Sequence, residues 1–145
     1  GFEEALSSFE VTEPTNLVRV ADKVFSADPR YADLNIEGKD KFLTGLMIHY
    51  ADAAQKTGNP KAFFKAMGIN SGNPFDVSAG KVSLNHALNN EVIDGVFKAV
   101  NTGSIPSEAL NLSKHMGAFL DAMNKVDPKD ITKEMILSTL RGLNK

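Results

Sequence analysis

Histidines and paired carboxylates are the residues of this chain with the most chemistry to offer. The histidines are His49, His86 and His115. A helix grips a metal ion with two ligands at i,i+3 or i,i+4, because only those spacings put both on one face. None of the three is assigned a histidine or carboxylate partner at such a spacing. His49 lies beside an apolar stripe, while His86 and His115 lie away from theirs. All three are therefore expected to be surface or boundary residues, neither ligands nor general bases. His86 also stands among Asn85, Asn89 and Asn90, a polar neighbourhood unsuited to a haem pocket.

Two groups of acids invite the same scrutiny. Glu13 and Asp22 could supply the protonated acid and ionised partner that cleave a glycosidic bond. They bracket one continuous helical pattern that opens at Pro14, so a shared cleft is not expected. Asp127, Asp130 and Glu134 gather at a helix start. A calcium loop needs ligands on alternate residues and a central glycine, and this run has neither arrangement. Their expected role is to complement the positive end of the helix.

Other chemistry is excluded more simply. The chain has no cysteine, which removes disulfides, thiol nucleophiles and thiolate metal sites. It contains no Gly-Lys-Ser/Thr phosphate loop and no Gly-x-Ser-x-Gly elbow. No catalytic, cofactor-binding or metal-ligating residue is nominated, and the chain reads as a binding protein before an enzyme. Sixteen basic residues against 18 acidic ones leave a net charge of −2, and the basic residues are scattered, so nucleic acid is a disfavoured partner. A helix-turn-helix starting at Lys61 fails because Phe64 occupies the place of a small residue, and Pro74 interrupts the second helix. No apolar run is long enough for a membrane span. Residues 1–12 are acidic, unlike a secretory signal.

The elements that would position these residues are helical throughout. Phe2, Leu6 and Phe9 form one face of a short N-terminal helix, with Glu3, Glu4 and Glu10 off it. A helix from Pro14 to Ser26 carries Leu17, Ala21, Val24 and Phe25. Pro29 to Asn35 is a connector with one turn near Tyr31. The longest helix, Glu37 to Thr57, buries Phe42, Leu43, Leu46, Met47, Tyr50 and Ala54 and stops at Gly58. Asn59-Pro60 starts a short helix ending at Gly68. Residues 69–82 are irregular. The triplet Gly-Asn-Pro, at 58–60 and 72–74, reads as stop-and-restart punctuation, not as a repeat. Helices follow from Ser83 to Asn101 on Leu84, Leu88, Val92, Val96 and Val100, then from Pro106 to Lys125 on Leu112, Met116, Phe119, Leu120 and Met123. A last helix runs from Thr132 to Leu143. No stretch alternates apolar and polar residues as a strand would.

These signals predict an all-α fold, a compact irregular or orthogonal bundle of six to seven helices. Residues 1–145 are expected to form a single domain, with 1–12 a semi-independent docking segment. The function that fits is a non-enzymatic interaction or structural module in a larger assembly, a virion being one setting and the cytoplasm another. A nucleic-acid-associated regulator and an enzyme without a sequence motif are the rivals. The expected partner is another protein or a copy of the chain itself. Candidate partner-binding residues are Phe2, Leu6 and Phe9, which make the N-terminal stripe, and Phe63 and Phe64. Adjacent residues on a short helix point about 100° apart, so a helix this short can hardly bury both phenylalanines fully.

Overall fold

The computed structural model describes residues 17–66, 69, 71–76 and 90–144. Among them are seven α-helices and no strand. The all-α bundle is therefore the fold, and the reason lies in one helix.

That helix is α3, Ile36–Lys56. Asn35 caps its start by accepting a hydrogen bond from Gly38 N at 2.8 Å, which satisfies an amide the first turn leaves without a partner. Six consecutive residues, Phe42 to Met47, are all buried. A surface helix buries one stripe; burial all round a turn means neighbours on every side. The neighbours are α1 (Leu17–Phe25), α4 (Pro60–Ala66), α5 (Asn90–Asn101) and α7 (Lys133–Leu143), all of which contact α3. An aromatic knot ties two of these helices, and one further turn, to it. Phe42 meets Phe25 edge-on at 4.9 Å and stacks on Phe97 at 4.5 Å, and Tyr31 lies edge-on to it at 5.3 Å. Tyr31 belongs to α2, the single turn Pro29–Ala32, which Asp28 caps through Arg30 N at 2.9 Å.

Both Gly-Asn-Pro triplets act as punctuation. Gly58 and Gly72 hold φ at +80° and +77°, a backbone region where a side chain is strained. Asn59 then accepts from Ala62 N at 3.2 Å and opens α4. Asn73 does more. Its side-chain oxygen accepts from Phe75 N at 2.9 Å, and its amide nitrogen donates to the carbonyls of Met123 and Val126 at 3.1 and 2.8 Å. Those carbonyls belong to the last turn of α6 (Met116–Asn124) and the residues after it.

Two predicted helices differ from what is observed. In α5 the inward face is Ile93, Val96 and Phe97, with Val92 and Val100 only half-buried. The face is thus turned about one residue from the valine stripe. Residues 77–89, including Leu84 and Leu88, lie outside the described residues. The helix expected from Pro106 to Lys125 is instead two single 3₁₀ turns, Ser107–Ala109 and Ser113–His115, followed by α6. Leu110 is extended and Asn111 has φ +73°, one of the few conformations with positive φ that asparagine tolerates. Side chains from elsewhere satisfy the polar groups this break leaves open. Asn144 donates to the carbonyls of Glu108 and Leu110 at 3.2 and 3.3 Å. Asp40, buried on α3, accepts from the amide of Ser113 at 3.2 Å and from its hydroxyl.

Candidate functional site

Along α3, the residues on one face follow the spacing i, i+3, i+4, i+7: Gly45, Ile48, His49 and Asp52. Across from them α5 presents Glu91, Val92, Gly95, Val96 and Ala99. Between two packed helices such positions normally carry side chains that interlock. Here three of them are Gly45, Gly95 and Ala99. The missing bulk leaves a groove of about 480 Å³, open to solvent along one side, with Ile105 from the segment after α5 completing its wall.

The two glycines differ in role. A β-carbon on Gly45 would sit 2.9 Å from Ile105 Cδ1 and 3.3 Å from Val96 Cγ1, so this position lets α5 and its following segment approach closely. A β-carbon on Gly95 would meet nothing within 4 Å. Gly95 marks the open part of the groove.

The lining divides chemically. Ile48, Val92, Val96, Ala99 and Ile105 make it apolar, while His49, Asp52 and Glu91 supply its polar groups. Burial lowers the His49 pKa below its ordinary 6.5; Asp52 pulls it back up and Lys56 pushes it down. The imidazole is therefore neutral at pH 7. A neutral imidazole beside a carboxylate can act as a general base when a nucleophile is within reach. Among the described residues no serine, threonine, tyrosine or lysine lines the groove. Among the described residues no group of three or more histidines and acids is gathered to hold a metal ion.

Asp52 corrects one expectation. It stands at i+3 from His49, so one histidine does have a carboxylate partner at helical spacing. The signal was present in the sequence; the position of His49 at the edge of the core stripe hid it.

The other candidates are placed elsewhere. Phe64 is buried at 1% exposure and Phe63 is half-buried against the same core, their rings edge-to-face at 5.2 Å. Asp22 accepts a hydrogen bond from the Tyr31 hydroxyl and so braces α2 against α1. Asp127 caps the turn Pro128–Asp130 by accepting from Lys129 N at 3.0 Å, and Thr132 performs the same service for α7 through Met135 N at 3.2 Å. Asp130 and Glu134 are exposed, and His115 is half-buried just before α6. Phe2, Leu6, Phe9, Glu13 and His86 lie outside the described residues. Of the described partner-binding candidates, neither Phe63 nor Phe64 lines the groove.

No helix of the described residues is long and apolar enough to cross a membrane. Comparison with known protein families, with curated proteins and with solved structures found no match.

Proposed function

We propose that this chain is a non-enzymatic helical interaction module that docks a segment of a partner protein in the α3–α5 groove. One observation carries the reading: two packed helices leave an apolar trough where Gly45, Gly95 and Ala99 replace interlocking side chains. Its volume falls within the ~300–1,000 Å³ typical of ligand sites. Small-molecule sites enclose most of their ligand, whereas this trough is open along one side. An elongated segment that lays apolar anchors along it, in the helix-in-groove mode, suits that shape.

Gly95→Leu provides the test, because a β-carbon there meets nothing within 4 Å and the rest of the side chain would occupy the groove. Tagged wild-type, Gly95→Leu and Gly142→Ala proteins would be purified from the native source and their bound proteins quantified by mass spectrometry. Gly142, on α7, is outside the groove and also has open space around a β-carbon. The reading expects a partner that wild type and Gly142→Ala retain and Gly95→Leu loses, with binding reproduced from purified components. A partner held equally by all three, or a small molecule displaced by Gly95→Leu with no protein involved, would refute it.

A further inference from the structure

We infer that the segment received by the groove carries an apolar anchor flanked by lysine or arginine, the anchor lying over Gly95 and the cation meeting Asp52 and Glu91. This rests on the reading of the groove as a docking site and adds the chemistry of its occupant.

The charges around the groove support it. Arg30 is committed to two acids, Asp28 at 3.1 Å and Asp94 at 2.5 Å, and lies 4.5 Å above the Phe97 ring. Asp94 is therefore taken. Among the described residues, Asp52 and Glu91 form no ion pair, although both line the groove. Among the described residues no lysine or arginine lines it. The groove thus offers two uncommitted carboxylates beside apolar walls. Charge complementarity across an interface steers encounter and rejects partners of like charge.

The same argument weighs against the chain's own N-terminal segment. Phe2, Leu6 and Phe9 could supply apolar anchors, but Glu3, Glu4 and Glu10 accompany them. Placed in the groove, those glutamates would face Asp52 and Glu91, and like charges at an interface oppose association.

Fluorescence anisotropy on the whole chain tests the inference with three labelled peptides. One contains leucine and lysine at helical spacing, the second replaces each lysine by glutamate, and the third is residues 1–12 of this chain. The leucine–lysine peptide should bind and the leucine–glutamate peptide should not. The double variant Asp52→Asn/Glu91→Gln should weaken the first by about tenfold and reduce its sensitivity to salt, as expected for loss of complementary charge. Gly95→Leu should abolish binding. If Gly95→Leu abolishes binding but the double variant leaves it unchanged, the cation is refuted and the docking groove survives. Equal binding of the glutamate peptide would likewise refute the cation alone. Tighter binding of residues 1–12 would make the groove a seat for the chain's own segment. If no peptide binds, or if Gly95→Leu changes nothing, inference and docking site fail together. Cooperative melting curves would show that each variant is folded.

Discussion

Ile105 sits against the bare backbone of Gly45, 2.9 Å from where a β-carbon would stand, while Gly95 on the facing helix has open space at the same point. The two glycines line one groove, yet their substitution should have opposite effects. Gly95→Leu replaces a poor helix former at a position with room for a β-carbon and should stabilise the fold by about 0.5–1 kcal/mol. Gly45→Leu drives a side chain into Ile105 and Val96, and overpacking of this kind should destabilise by about 1–3 kcal/mol. Urea melts of the two variants measure both. Changes of the same sign would contradict the close approach at Gly45.

Asn73 should be the most costly single polar residue to replace. Its amide holds carbonyls at the end of α6 and its oxygen holds Phe75 N. Asn73→Ala strands buried polar groups, each costing about 1–3 kcal/mol. Asn73→Asp should cost more, since a carboxylate would replace the donor facing those carbonyls. Equilibrium unfolding of the two variants should rank them in that order. A loss below about 0.5 kcal/mol for the alanine variant would mean the bonds are dispensable.

Tyr50 and Thr44 offer the reverse case. Both are buried on α3 with hydroxyls that have no hydrogen-bond partner among the described residues. A buried unpaired hydroxyl carries a desolvation penalty and returns nothing for it. Tyr50→Phe and Thr44→Val should each be neutral or stabilise by up to about 1 kcal/mol. Thermal unfolding checks this, and a clear loss in either variant would show that its hydroxyl has a partner in solution.

Two groups should shape stability against pH, in opposite directions. Burial raises the Asp40 pKa above its ordinary 3.8; the hydroxyl and amide of Ser113 and the amide of Asn111 lower it, and Glu37 raises it. A carboxyl whose folded pKa is raised gives its full contribution below the unfolded value and loses it as pH rises through the folded one. Burial depresses the His49 pKa, so the histidine costs stability as pH falls below 6.5 toward its folded value. Denaturant melts at stepped pH should show that Asp40→Asn removes the loss on rising from pH 3.8 and that His49→Gln removes the loss below pH 6.5. Unaltered slopes would assign the pH dependence to other groups.

The fold could be read largely from local signals. The α3 stripe follows the helical period, Thr132 and Asn59 stand where caps belong, and Gly58 stops α3 as expected. The break at Asn111 could not be read, because the bonds that satisfy it come from far along the chain: Asn144 is 34 residues from Leu110, and Asp40 is 73 residues from Ser113. The groove was hidden for a related reason. Periodicity shows which residues face inward, but a groove depends on which two helix faces come together. Gly45 and Gly95 look like isolated helix-weakening residues until α3 and α5 are placed side by side.

The Gly-Asn-Pro triplets have a consequence for how the molecule ages. Asparagine in proteins is lost mainly when the next residue's backbone nitrogen attacks the side-chain carbonyl carbon and closes a succinimide ring, releasing ammonia. That route needs a nitrogen bearing a hydrogen, and proline has none. Asn59, which opens α4, and Asn73, which closes α6, are both followed by proline. The fold has placed two of its cap asparagines where spontaneous deamidation by this route is blocked.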